Sequence, residues 1–575
     1  MLKIYRRYYQ FLFRYRGKFI LFLISSLVFG LATAVQPYFY KLFIDAIPAG
    51  NHQHLLQILW FYLAFRLLEV VFDLLTFWLG DLILLPASAD LRQAVMKKIQ
   101  ELDFAFHLSR STGSLISLIK RGDGAFFDLF HSLHHRLFRI SIIFFTMLFF
   151  LNQINHWIMG IMLISFALNL LLAWFLIRKN ITFRRQFNQA EDKVSEVIVD
   201  NLINFETVKL FAKENWEQER LRICFDSWLK KLWRYANSFR FIDGGVGVLG
   251  NLGLLAILFT GLKWLNQNHL TTGEYVMILG FTASFYPRFF EMIYELRNLA
   301  KNHTDIQRYL GILNEETQVK DPPQPVNLSR INGEIEFKDI SFSYPEGKKD
   351  ALKKFSLRLR AGQSVALVGR SGAGKTTIVK LLMRFYDPDQ GQITLDKTDI
   401  KSFAKSQLRS FIGVVPQEPI LFNHTIAYNI GYGADKATEQ EIIAAAKMAN
   451  LHDFIETLPK KYATHVGERG VKLSGGQKQR LAIARMILSN PDIVIFDEAT
   501  SQLDSESEKL IQEAFWKAVK NKTTIIIAHR LSTVVKAEKI VVMKDGEFAE
   551  MGSHRSLLAQ KNSLYAGFWR LQKIN

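Results

Sequence analysis

Residues 19–40 carry no charged side chain, and further apolar runs follow at residues 55–85, 137–151, 157–177, 244–265 and 275–292. A helix needs roughly 20 apolar residues to cross the hydrocarbon core of a bilayer. No water is present there to bond the backbone, so each crossing segment must satisfy its own N–H and C=O groups. The six runs therefore read as six membrane-spanning helices, the third being the shortest. Orientation follows from where Lys and Arg fall. Lys3, Arg6, Arg7, Arg14, Arg16 and Lys18 precede the first run; Arg92, Lys97, Lys98, Arg110, Lys120, Arg121, Arg136 and Arg139 separate the second from the third; residues 178–240 are again basic. The alternate loops carry almost none, since "NQINHW" has no basic residue and Lys41 and Lys263 only border theirs. Both chain ends are expected in the cytoplasm.

This asymmetry accounts for much of the formal charge of +19 without nucleic acid as a partner. The basic start, the first apolar run and "LATA" at residues 31–34 together imitate a secretory signal with a small-residue cleavage site. The long aromatic leader and the completeness of a six-helix set favour retention of that segment. Between runs two and three, and again between four and five, about fifty residues or more of mixed charge read as helices extended into the cytoplasm, with Pro86 and "STGS" at Ser111 interrupting the first. Cys224 is the one cysteine, which excludes an intrachain disulfide and leaves no basis for a cysteine metal site.

Residues 315–333 are polar and proline-containing, a linker between a first domain at 1–314 and a second at 334–575. Beyond it, β-rich runs such as "EIEFKDISFSY", "SVALVG", "IGVVP", "DIVIFD" and "TTIIIAH" alternate with helical segments. That alternation predicts an α/β domain with a largely parallel core sheet.

"GRSGAGKTT", residues 369–377, fits G-x-x-x-x-G-K-[ST] between a predicted strand and a predicted helix. The backbone N–H groups of Gly369, Arg370, Ser371, Gly372, Ala373, Gly374 and Thr377 can close on phosphate oxygens at the helix N-terminus. Lys375 should reach the β and γ phosphates and the Thr376 hydroxyl should hold Mg²⁺. The strand "IVIFDE" delivers Asp497 as a second Mg²⁺ group and Glu498 as the base that orients and deprotonates a water.

A second glycine pair opens another helix in "LSGGQ", Leu473, Ser474, Gly475, Gly476 and Gln477, ahead of "IVIFDE". This motif resembles the signature of the ATP-binding cassette (ABC) family. The resemblance implies that two cassettes pair head to tail, the signature of one covering the γ phosphate of an ATP held by the other. It also implies roles for Tyr344 in "FSYPEG" (stacking on adenine), Gln417 in "VVPQEP" (touching Mg²⁺ and water), His529 in "IIIAHR" (contacting the γ phosphate), Asp504 in "SQLD" (at the dimer interface) and Glu468 in "VGERG" (sensing the membrane domain). Gln502 departs from the family's small residue there. Six spans ahead of one cassette resemble the half-transporters of ABC exporters, and "STGSLISLIKRGDGAFFD" and "ETVKLFAKENWEQER" resemble their two cytoplasmic turns. The implied fold is an all-α six-helix transmembrane domain, then an α/β P-loop ATPase with an antiparallel β subdomain.

The function this implies is ATP-driven export of a hydrophobic or amphipathic substrate by alternating access, in a homodimer or in a heterodimer with a second half-transporter, as a multi-pass protein of a bacterial cell membrane with its ATPase in the cytoplasm. An importer on the same fold, and a soluble cassette ATPase acting on nucleic acid, are the alternatives. Cargo is not legible: "NFETVKLF" resembles exporters of glutathione-linked metal or sulfur compounds, and a lipid or amphipathic drug fits as well. Arg66, Glu69 and Asp73 share one face of the second span, and Arg288, Glu291 and Glu295 repeat that spacing near the end of the sixth. Charges at that depth face protein or a water-filled cavity, so both sets read either as helix-holding ion pairs or as residues of the substrate cavity, and the sixth-span set also fits a place already in the cytoplasm.

Overall fold

The computed structural model describes the chain except Met1, Ser111, residues 346–349, 468–469, 498–504, 529–530 and Asn575. The chain divides into two compact units: Met1–Leu102 with Arg110–Glu315, and Asp103–Ser109 with Glu316–Asn575.

The first unit is entirely helical. Its main elements are Arg16–Ala34 continued by Gln36–Ala46, His52–Glu101, Thr112–Phe130 running through a π-helical turn at His131–Leu137 into Phe138–Ile154, His156–Ile203, Glu214–Asn266 and Thr272–Ile312. Local chemistry sets the breaks between them. The Asn51 side chain accepts from His54 N and that of Asn155 from Trp157 N and Ile158 N. Thr271 and Glu274 form a reciprocal capping box at the start of the last helix. Each cap satisfies amide groups that a helix start leaves without intrahelical partners.

Pro86, expected as an interruption, lies inside the helix His52–Glu101. The loss of one ladder bond at a proline does not end a helix that neighbours support on both sides. Among the described residues, four stretches are long and apolar enough to cross a membrane by length and composition: Ile4–Ala49, Gly113–Ile154, His156–Ile203 and Glu214–Asn266. The other two expected spans lie in His52–Glu101 and Thr272–Ile312, the helices that carry the two charged sets.

The second unit holds two sheets. Strands β1 (Ile335–Ser343), β2 (Asp350–Leu359), β4 (Gln390–Leu395) and β5 (Thr398–Asp399) form an antiparallel sheet in the order β2-β1-β4-β5. Strands β3 (Ser364–Val368), β6 (Ile412–Val415), β7 (Ile493–Asp497), β8 (Thr523–Ile527), β9 (Lys539–Lys544) and β10 (Glu547–Gly552) form the other, in the order β10-β9-β3-β8-β7-β6. There β6, β7, β8, β3 and β9 are parallel and β10 is antiparallel at the edge.

Both faces of the parallel sheet are covered, so its strands read as unbroken apolar runs. Val365, Leu367, Ile493 and Ile495 enter one hydrophobic cluster, while Ala366, Val368, Val494 and Phe496 enter the other. Residues of the linker are held on this unit: Lys405 Nζ donates to Val319 O at 2.7 Å and Gln407 Nε2 to Leu328 O at 2.8 Å.

Candidate functional site

Strand β3 ends at Val368, and the chain turns through residues 369–374 into the helix Lys375–Leu382. Gly374 has φ +97°, and a Cβ there would fall 2.7 Å from Ala351 O, so only glycine fits this turn. Lys375 is 5% exposed and its Nζ donates to Gly369 O at 2.8 Å and Arg370 O at 3.0 Å, drawing the loop around the ammonium. Burial holds its pKa below the ordinary lysine value, and the nearby charge of Asp497 opposes that shift. Burial in turn raises the Asp497 carboxyl, with Lys375 opposing. The ends of β3 and β7 thus place a cation and an acid in one electrostatic neighbourhood, while Arg370, Ser371, Gly372 and Thr376 lie exposed at the helix start.

Exposed backbone at a helix N-terminus beside a buried ammonium suits a polyphosphate. The hydroxyl of Thr376, the amide of Gln417 and the carboxylate of Asp497 are the hard oxygen donors that suit Mg²⁺. Among the described residues no cluster of three or more His, Cys, Asp or Glu forms a separate metal site.

Tyr344 lies beside this loop. Its hydroxyl is 3.1 Å from Thr377 Oγ1, its ring meets Tyr386 edge-on at 5.4 Å, and Lys380 Nζ sits 5.1 Å from its centroid. Lys380 also lies 5.8 Å from the ring of Phe104, which stacks on Phe385 at 4.8 Å. The sequence reading missed Lys380, although its place five residues after Lys375 on one short helix was the available signal.

The signature segment opens the helix Gly475–Ser489. Ser474 is its N-cap: Ser474 Oγ accepts from Gln477 N at 3.3 Å and Gln477 Oε1 accepts from Ser474 N at 2.9 Å. Two of the five signature residues are therefore committed to a capping box. Leu473 packs against the cluster beneath, Gly476 is buried, and Ser474 and Gly475 are exposed.

Gln479, which the sequence reading also passed over, is 5% exposed and donates to Gln417 O at 2.7 Å and Pro416 O at 3.2 Å. It ties the signature helix to the backbone that carries Gln417. Gln479→Leu should strand those two carbonyls and cost about 1–3 kcal/mol. Thermal unfolding of the purified chain, with ATPase assayed alongside, checks this; an unchanged midpoint would show that the tie contributes nothing.

Glu468, Glu498, Gln502, Asp504 and His529 lie outside the described residues.

In the first unit Glu69 accepts from Thr33 Oγ1 at 2.9 Å, Gln36 Nε2 at 2.6 Å and Arg66 at 2.6 Å. Asp73 accepts from Arg139 at 2.7 Å. Side-chain exposure is 48% for Arg66, 14% for Glu69 and 37% for Asp73. Glu295 is fully buried, accepting from Ser132 Oγ and Arg136. Arg136 and Arg139 appeared in the sequence only as orienting charges, because the pairing partner of a lone arginine is not written near it.

Residues 352–501 match the ABC transporter family and residues 19–287 its transmembrane region. ABC transporter B family member 6 of Dictyostelium discoideum is 33% identical over 577 residues, covering 97% of this chain and 84% of that protein. The chain belongs to the ABC transporter family, with a membrane-spanning region and an ATP-binding ATPase domain on one polypeptide. Within the family it resembles ATP-binding cassette sub-family B member 6 of Mesocricetus auratus, at 40% identity over 483 residues and 83% of this chain, spanning 56% of that longer relative. The solved structure of a bacterial Atm1-family ABC exporter with ATP bound superposes with a TM-score of 0.88 at 32% identity, covering 97% of this chain and 98% of that one.

Proposed function

We propose that the chain is half of an ATP-driven exporter that works as a homodimer with two equal composite ATP sites. The observation that carries this reading is the exposed, capped helix start at Ser474 and Gly475, an anion-binding end to which no described hydrogen bond joins the chain's own loop 369–377. In this reading Tyr344 stacks on adenine, residues 369–377 bind the phosphates, and Lys375 trades its loop carbonyls for β and γ oxygens. Thr376, Gln417 and Asp497 hold Mg²⁺, which when bound neutralises charge developing on the phosphates. Glu498 takes the proton of the attacking water, His529 bonds the γ phosphate, and Leu473 to Gln477 with Asp504 come from the second copy. The substrate is hydrophobic or amphipathic, and Arg66, Glu69 and Asp73 are offered as residues near its path. The similarity to an exporter along almost the whole chain supports export over uptake. Basic loops support cytoplasmic ends, and the bacterial source of the solved exporter supports a bacterial cell membrane.

Gly475→Asp tests the pairing. An acidic residue in the first helical turn favours the helix, so the fold should persist while the new charge repels the phosphate held by the other copy. Pure Gly475→Asp protein should lose about tenfold or more of its ATPase. In mixtures, each wild-type/variant dimer keeps one undamaged site, so activity should fall progressively with variant fraction. A chain that is monomeric in lipid at full ATPase rate would overturn the reading. Purified chains that hydrolyse nothing until a second half-transporter is added would replace the homodimer by a heterodimer.

A further inference from the structure

The helix Lys375–Leu382 meets Tyr344 at two points, one turn apart. Thr377 Oγ1 lies 3.1 Å from the Tyr344 hydroxyl, and Lys380 Nζ lies 5.1 Å from the centroid of its ring. Residues three apart share a helix face, so the helix that begins with the phosphate-loop lysine also presents a hydroxyl and a cation to one tyrosine. Phe342, 5.1 Å away at 78°, and Tyr386, 5.4 Å away at 89°, stand across the same ring, and both are buried. Aromatic pairs favour such crossed arrangements. Tyr344 is thereby held at its hydroxyl, over its ring and by two neighbours that cannot easily move.

Lys380 is itself confined. Its Nζ lies 5.8 Å from the centroid of Phe104, and Phe104 stacks on Phe385 at 4.8 Å and 15°. Both rings fall within the ~6 Å over which an ammonium is drawn to an aromatic face. A lysine on an open surface keeps its rotamer freedom, whereas this one rests between two rings, one of them supplied by the Asp103–Ser109 part of the second unit. Five positions along a helix turn a side chain about 140° away from the first, so Lys380 leaves the phosphate loop to Lys375 and attends to the tyrosine. A cation over one face of an aromatic ring draws electron density toward itself. The other face then becomes a better partner for the electron-rich ring of a purine.

We propose that Lys380 is a positioning residue for the base of the bound nucleotide, acting through Tyr344, whose ring it holds and polarises for stacking. This rests on the reading in which Tyr344 stacks on adenine. ATPase of the purified full chain in lipid is measured against ATP concentration for the wild type, Lys380→Met and Lys380→Arg, with tripolyphosphate as a competing inhibitor that carries phosphates but no base. Lys380→Met keeps the length of the stem and removes the charge. Its KM for ATP should rise about three- to tenfold, with kcat unchanged, as expected when an interaction serves binding alone. The inhibition constant of tripolyphosphate should stay as in the wild type, and Lys380→Arg should restore KM. In a Tyr344→Leu background, Lys380→Met should add no further loss. Equal weakening of ATP and tripolyphosphate would make Lys380 a plain charge near the phosphates and overturn the proposal, and a fall in kcat at unchanged KM would overturn it in favour of a structural role. A raised KM in Tyr344→Leu beside an unchanged KM in Lys380→Met removes Lys380 alone. An unchanged KM in Tyr344→Leu removes the adenine-stacking reading, and the role of Lys380 with it.

Discussion

Glu498→Gln is expected to bind MgATP and hydrolyse it about 10²- to 10⁴-fold more slowly than the wild type, the usual cost of removing one general base. The neutral amide keeps the size and most of the hydrogen bonding of the carboxylate but cannot take the proton of the attacking water. Lys375 and Asp497, whose burial and mutual electrostatics follow from the ends of β3 and β7, keep the places the proposed site gives them for nucleotide and metal. The variant should therefore accumulate as an ATP-loaded closed dimer. Single-turnover hydrolysis with labelled ATP and gel filtration of the ATP-loaded protein read the two halves of this expectation. Turnover close to wild type would remove Glu498 from the role of base.

Arg136→Gln should destabilise the membrane unit by about 3–5 kcal/mol, because the fully buried Glu295 would be left without its cation. Ser132 Oγ would still donate to that carboxylate, but one hydroxyl cannot replace a guanidinium in a low dielectric. The double variant Arg136→Gln with Glu295→Gln should recover most of the loss, since two amides can bond each other at no charge. Thermal unfolding in detergent, run on both single variants and the double, gives the coupling directly. Additive losses would mean that the pair is not the unit that matters.

The class of each half was legible because it rests on runs and short motifs: apolar stretches long enough to cross a bilayer, strands buried on both faces, and the loop 369–377. Strand β2 was not read from the sequence. Its buried positions Leu352, Phe355, Leu357 and Leu359 break the period of two at a bulge where Lys354 takes φ +45°, so a simple alternation never shows. The π-helical turn escaped for a similar reason, since one extra residue per turn shifts the face of Arg136 and Arg139 without changing composition. Lys375 and Asp497, which lie in one electrostatic neighbourhood, stand in sequence motifs, whereas Gln479 and Lys380 do not. What Gln479 and Lys380 do lies in which backbone or ring they meet, and a linear string records spacing along the chain only. The same limit applies to the charged sets, where the i, i+3, i+7 spacing marked Glu69 and Asp73 but could not say that Thr33, Gln36 and Arg139 would partner them.

The segment Asp103–Ser109 lies in the first half of the sequence yet is part of the second unit. Its Phe104 stacks on Phe385 and meets Tyr386, and Asp103 accepts from the amides of Gln318 and Val319. The ATPase is thus a discontinuous body, and cutting the gene at the apparent linker does not isolate it. A fragment beginning near residue 334 would expose to water the part of the Phe385 ring that Phe104 covers and would lack the chain that Lys405 and Gln407 hold. Soluble cassette fragments of this protein are expected to be sticky and less heat-resistant than the same residues in the whole chain. Rates measured on them would describe an enzyme missing one of its own pieces.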